Sequence, residues 1–198
     1  MSDNHETATG RSSDGGGPAP NYDELFARNL PALAAYVRAR VGSGLAARES
    51  VSDLTQSVCR EVLDDLDELR FESDEAFRAY LFLQASRKVV DRARFYRMKK
   101  RDAGREVVIP SDRESKEMLR SLAMLVTPSR AAGAREELDR VEQALQELPD
   151  NQREAVLLSR IGGISYGDIA RQMTLSESAV RGLVARGLAR LAAILGRG

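Results

Sequence analysis

The stretch ISYGDIARQMTLSESAVRGLVARGL, residues 164–188, carries side chains whose types and spacing suit contact with a nucleic acid. Ser176, Ser178, Arg181 and Arg186 fall on what would be the exposed side of one helix. Arginine pairs with guanine edges or phosphate, and serine suits phosphate. From Gln152 to Gly198 seven arginines stand against three acids. A second cluster, SRKVVDRARFYRMKKRDAGR at 86–105, holds nine basic residues against two acids, with Phe95 and Tyr96 among them. Basic side chains can follow a phosphate backbone while aromatic rings stack on exposed bases. Just before it, residues 49–77 hold ten acids against two arginines. Such a segment repels DNA and is suited to a basic protein surface. The net charge of zero over 198 residues therefore hides local fields of opposite sign, and local fields decide where a polyanion docks.

Other chemistry finds little support. The chain has one cysteine, Cys59, and one histidine, His5. A structural zinc site needs about four ligands, and a Cys–His or Ser–His pair would have to recruit a histidine from the N-terminal tail. No phosphate-cradling glycine motif occurs. The expectation is a protein with no enzymatic activity, no cofactor and no metal. No apolar run approaches the ~20 residues of a membrane span. The N-terminal MSDNHETATGRSSDGGGPAPN has no hydrophobic stretch, so residues 1–20 are expected to be a disordered tail and the chain cytoplasmic, with no membrane partner.

The elements that must position these residues are all helical. Phe26, Leu30, Leu33, Val37 and Val41 mark one face of a helix that Gly42 and Gly44 should end. Ser50 and Asp53 form a capping pattern for a second helix, reaching to Leu69, with Val51, Leu54, Val58, Val62, Leu66 and Leu69 inward. Ser73 or Asp74 caps a third, whose face is Phe77, Leu81, Ala85 and Val89, running to about Lys100. Three such helices can share a core, giving a first domain over 21–102. Residues 103–135 read as a flexible linker with a short helical insert at 116–126. A second domain, 136–198, opens with a helix that Pro149 stops. Asn151 with Glu154 suggests a capping box for the next helix, closed by Gly162 and Gly163. Ser165 with Asp168, the turn TLS and the cap Ser176 then give a helix-turn-helix. In it Ile164, Ile169, Val180 and Leu183 or Val184 fill a small core beside Ala170. The expected fold is all-α, two small helical domains joined by the linker.

The helix-turn-helix fragment also fits a plain helical hairpin whose arginines serve solubility. Both blocks together are more specific. DLTQSVCREVL (53–63) and AFRAYLFLQASRKVVDRAR (76–94), followed across a linker by LQELPDNQREAVLLSRIGGISYGDIARQMTLSESAVRGLVARGLARL (145–191), resemble the extracytoplasmic-function sigma factors of the sigma-70 family. That resemblance implies a sigma-two domain and a sigma-four domain in one promoter-specificity subunit. It implies that the second helix docks on the clamp helices of the largest subunit of core RNA polymerase, through Asp53, Gln56, Ser57, Arg60 and Glu61. The flap of the second-largest subunit is the other implied polymerase contact. The loop FESDEAF, with Ser73, Asp74 and Phe77, would capture a base of the −10 element outside the stack. Arg87, Lys88, Arg92 and Arg94 would line the melted strand, and Ser176, Ser178, Arg181 and Arg186 would meet the −35 element. Promoter DNA is thus an implied partner. An anti-sigma protein is another, since most relatives are held by one or by a related partner switch. Against the family pattern, Tyr80 stands where many relatives have tryptophan, and Gly182 and Ala185 leave a recognition face of small side chains. Two readings outside this family compete. One is a stand-alone helix-turn-helix regulator that binds an operator; the other is an adaptor that binds a protein but not DNA.

Overall fold

A computed structural model describes residues 21–46, 49–66, 68–99 and 134–196. Among them are seven helices and no strand: α1 (Tyr22–Ala46), α2 (Val51–Asp65), α3 (Asp74–Lys99), α4 (Ala134–Gln146), α5 (Asp150–Arg160), α6 (Tyr166–Met173) and α7 (Glu177–Leu195). The N-terminal tail and the insert expected at 116–126 lie outside the described residues.

Helices α1, α2 and α3 pack on one another, as do α5, α6 and α7, with α4 against α7. Local signals start most of these helices. The Ser50 hydroxyl accepts from the Asp53 N–H, that of Ser73 from Ala76, that of Ser165 from Asp168, and that of Ser176 from Ala179. Each cap satisfies an amide that the first helical turn leaves without a partner. The inward residues of α2 are Leu54, Thr55, Val58 and Val62, one stripe at helical spacing. Those of α7 are Val180, Leu183, Val184, Gly187 and Leu191. Gly163 takes the left-handed conformation after α5, with φ of 63°, the usual way of turning the chain out of a helix.

Three sequence expectations need correction. Helix α1 runs through Gly42 and Gly44 to Ala46 instead of ending before them. Helix α2 stops at Asp65; Leu66 packs on the core from the following turn, and Leu69 is half-buried beyond it. Leu30, expected on the inner face of α1, is 44% exposed, while Leu25, Asn29, Leu33, Ala35, Tyr36, Val37 and Ala39 are buried. That set is wider than one stripe because α1 has two neighbourhoods. It packs on α2 and α3 on one side, and on α4 and α5 on the other. One cluster of buried apolar side chains consequently runs through both domains.

Helices α5 and α7 meet at Gly187. A Cβ there would lie 2.6 Å from Cγ2 of Val156 and 3.4 Å from the Gln152 carbonyl oxygen. Gly187→Ala is expected to overpack this crossing and cost about 1–3 kcal/mol. Gly182→Ala differs, since its Cβ would meet only the movable end of Arg186. It should gain up to about 1 kcal/mol from helix propensity. Urea unfolding of the two variants beside the parent should give shifts of opposite sign.

Candidate nucleic-acid and protein interfaces

Helices α6 and α7 form the helix-turn-helix. Ile169 and Ala170 on α6 and Val180, Leu183 and Val184 on α7 are buried, as is Ile164 before α6. The turn passes through Thr174, which takes a left-handed conformation with φ of 57° and whose N–H bonds back to α6. This packing leaves Ser176, Ser178, Arg181, Ala185 and Arg186 exposed along one side of α7. Ser176 sits at the very start, where its hydroxyl already accepts the Ala179 N–H at 3.2 Å. Arg181 is steadied at its base: its guanidinium lies 3.1 Å from Glu177 and 5.2 Å from the centre of the Tyr166 ring. Such cation–π contacts at exposed sites contribute about 0.5–1 kcal/mol. They orient the arginine without burying it.

The first domain carries the other charged faces. Arg87 and Arg94 are exposed on α3. Lys88 is ion-paired with Glu61 of α2, and Arg92 lies 3.4 Å from Glu49. These pairs join the basic α3 to the acidic segment. Between them Glu61, Gln84, Arg87, Lys88, Asp91, Arg92 and Phe95 line an open groove of about 500 Å³. Phe95 is 49% exposed, with its ring 5.3 Å from that of Tyr96. Sequence reasoning noted the two aromatics but did not assign Phe95 to a site.

On α2, Asp53, Gln56, Arg60 and Glu61 are exposed and Ser57 is half-buried, all turned away from Leu54, Val58 and Val62. Leu63, beside them, is 48% exposed. Cys59 is half-buried, and burial pushes its thiol pKa upward.

The residues expected to capture a base divide. Ser73 is the cap of α3. Asp74 is exposed and lies 2.8 Å from Arg28. Phe77 is fully buried. Its ring packs on Tyr22, Phe26 and Phe71 at centroid distances of 6.0, 5.1 and 5.4 Å. Phe77 therefore serves the core and has no face to offer a nucleotide.

A set of polar residues that sequence reasoning missed lies between the domains. Glu154 was expected to cap its own helix, paired with Asn151. Helix α5 instead begins after Pro149 with no side-chain cap. Glu154 is 7% exposed and turns toward the first domain. Its Oε1 accepts from the Tyr36 hydroxyl and the Ser86 hydroxyl, both at 2.7 Å, and its Oε2 from Arg40 Nε at 2.6 Å. Burial and the Glu154 charge both hold the Tyr36 pKa well above its ordinary value, so the phenol stays a donor. Burial disfavours the Arg40 charge, but Glu154 outweighs it and the Arg40 pKa rises. At the other end of α5, Arg78 donates to the Gly162 carbonyl, and to that of Ile161 at 3.3 Å. It also donates to Asn29 at 2.6 Å. A cation at a helix C-terminus meets the negative end of the helix dipole. Gln146 donates to the Ala39 carbonyl at 2.9 Å, and Arg38 pairs with Glu142. The partners of Glu154 are more than sixty residues away in the chain, so no local pattern could have pointed to them.

Among the described residues no helix is long and apolar enough to cross a membrane, and no group of His, Cys, Asp and Glu side chains could hold a metal ion. The burial of Phe77 yields a direct prediction. Phe77→Ala should cost about 3–5 kcal/mol by emptying the aromatic cluster, read as a fall in the thermal unfolding midpoint. An unchanged midpoint would mean that this ring is not a core residue.

Comparisons with known proteins agree with the two-domain reading. Residues 25–98 match the family profile for sigma-70 region 2, and residues 138–191 match that for sigma-70, region 4. The RNA polymerase sigma factor CnrH of Cupriavidus metallidurans is 32% identical over 88% of this chain and 86% of its own. The ECF RNA polymerase sigma factor ShbA of Streptomyces griseus is 30% identical over 90% of this chain and 89% of its own. Among solved structures, CnrH in complex with the cytosolic domain of CnrY is similar, with a TM-score of 0.58 and 29% identity, covering 89% of this chain and 88% of CnrH. The fold also matches the sigma factor RpoE in complex with the anti-sigma factor NepR from Bartonella quintana, with a TM-score of 0.63 and 20% identity, over 89% of this chain and 97% of RpoE. With both sigma-70 regions in order along one chain, and relatives of this identity over nearly its whole length, the protein belongs to the extracytoplasmic-function sigma factors of the sigma-70 family.

Proposed function

We propose that this protein binds core RNA polymerase and directs promoter-specific initiation, reading the −10 element with its first domain and the −35 element with its second. The observation that carries this reading is the sorting of exposed charge by helix. An acidic and polar face on α2, a basic groove on α3 and an arginine-bearing recognition helix α7 are all accessible, and none is used by the core.

The α2 face, Asp53, Gln56, Ser57 and Arg60, suits the clamp helices of the largest subunit. Leu63 adds an apolar contact at its edge. Glu61 is part of this face but also holds Lys88, so it links the polymerase contact to the DNA contact. In the groove, Arg87, Lys88, Arg92 and Arg94 follow the backbone of a melted strand, with the Phe95 ring for stacking. Ser73 and Asp74 border the same domain at the start of α3. On α7, Arg181 and Arg186 reach the major groove while Ser176 and Ser178 meet phosphates. The second domain also meets the flap of the second-largest subunit. No single face is strongly basic, and none has to be. Polymerase joins the two domains on one promoter, and two weak contacts made together exceed either alone by orders of magnitude. An anti-sigma protein is a further partner of this chain on this reading, and the similar CnrH was solved in complex with a second protein, the cytosolic domain of CnrY.

The stand-alone regulator is the second reading. The exposed acidic α2 face speaks against it, since that face has no use on an operator. Two variants separate the readings. Arg181→Glu with Arg186→Glu should abolish promoter-dependent transcription and leave co-elution with core polymerase intact. Asp53→Arg with Arg60→Glu should weaken co-elution at least tenfold. Transcription that survives the α7 charge reversal would overturn the assignment of the recognition helix.

A further inference from the structure

The helix-turn-helix carries an acid on the side that meets DNA, and on the sigma-factor reading above that acid needs a reason. Glu177 opens α7, between Ser176 and Ser178, and its side chain is 55% exposed. A carboxylate there repels phosphate and weakens binding to every sequence. As a helix-starting acid alone it would favour the helix dipole and nothing more. Its surroundings show more. Oε1 lies 3.1 Å from Nη2 of Arg181, one turn on. Oε2 lies 3.9 Å from where a Cβ on Gly167 would stand, against the first turn of α6. That oxygen has no hydrogen-bond partner among the described residues. The Arg181 guanidinium also lies 5.2 Å from the centre of the Tyr166 ring of α6. A donor group and an acceptor group are thus held side by side, by contacts from both helices of the motif.

We propose that Glu177 and Arg181 read one guanine–cytosine pair of the −35 element as a unit, with Tyr166 as the residue that positions Arg181. In the major groove guanine offers two acceptors, O6 and N7, and its cytosine offers one donor, N4. O6 and N4 are bonded to each other, so they lie about 2.9 Å apart. The 3.1 Å between Nη2 and Oε1 matches that spacing. Arg181 donates to the guanine while Glu177 accepts from the cytosine amino group. In the reversed pair donor meets donor, and the carboxylate meets a carbonyl. A thymine–adenine pair keeps one acceptor and the amine but offers a methyl group in place of N7. Rejection of wrong pairs is what the acid adds, while it lowers affinity for DNA in general. The rest of the recognition face leaves this unit room. Gly182 and Ala185 are small, and Arg186 leans back over Gly182, where a Cβ would lie 3.0 Å from its Nη1. Long side chains on a helix lean toward its N-terminus, the end that reaches base edges. Both guanidinia therefore gather there.

Selection from a promoter library randomised across the −35 region, by core polymerase carrying the full chain, tests the unit. The parent should select a guanine–cytosine pair at one position, preferred roughly five- to a hundredfold over the other pairs. Glu177→Ala should lose most of that preference, yet the free variant chain should bind unrelated duplex more tightly than the parent in titrations. Tyr166→Phe should keep the preference, because the ring face remains. Tyr166→Leu should lower it and leave binding to unrelated duplex unchanged. An acid that served only the helix would, on removal, weaken all promoters alike. That result, a Glu177→Ala variant with the parent's preference, or a parent that selects no guanine–cytosine pair would each overturn the unit. A parent that initiates at no promoter with core polymerase would instead overturn the sigma-factor reading on which the unit rests.

Discussion

A buried carboxylate must find donors, and Glu154 finds all of its donors on the other domain. Tyr36 and Arg40 come from α1 and Ser86 from α3. Left without them, an ionised group this deeply buried would cost several kcal/mol. The constraint reaches outward from there. It sets which side of α5 faces α1. It also brings the end of α5 within reach of Arg78. The polar contact thus sits beside a continuous apolar cluster that also joins the two domains.

Within each domain the forces are ordinary ones. Aromatic rings of Tyr22, Phe26, Phe71 and Phe77 close one end of the first domain. Branched aliphatics and a glycine crossing close the second. Most charged side chains are thereby left to the surface, where they are sorted by sign. Acids gather along α2 and bases along α3, and cross-helix pairs such as Lys88 with Glu61 stitch the boundary. A chain of zero net charge can in this way present separate faces to a protein and to DNA, because screening confines each field to about 10 Å at ordinary salt.

The parts legible in the sequence are those fixed locally. Ser50 and Ser165 cap helices where their spacing to an aspartate says so, and Ser176 caps the helix after the turn, because each cap and its amide are three residues apart. The apolar stripes of α2 and α7 were equally plain, since each packs within a single domain. Helix α1 was read less well. It faces two, and alanines at 35 and 39 are as compatible with solvent as with a core. Phe77 was read on the inner face of α3 from its spacing, and that is where it lies; the base-capturing role came only from the family resemblance. Glu154 was the deepest misreading. Its distance from Asn151 imitates a capping box, whereas its true partners lie in α1 and α3 and no periodicity encodes them. For the site residues on α2, α3 and α7, exposure is what the fold supplies, and their roles are argued from chemistry.

The most direct test of the account is a footprint on a promoter that the protein uses, taken with chain alone, core polymerase alone and both together. The account predicts that only the mixture protects DNA, at two positions about two and a half helical turns apart, with bases near the start site becoming reactive as the duplex melts. Strong protection by the chain alone at a single site would contradict it and identify the protein as a free-standing regulator.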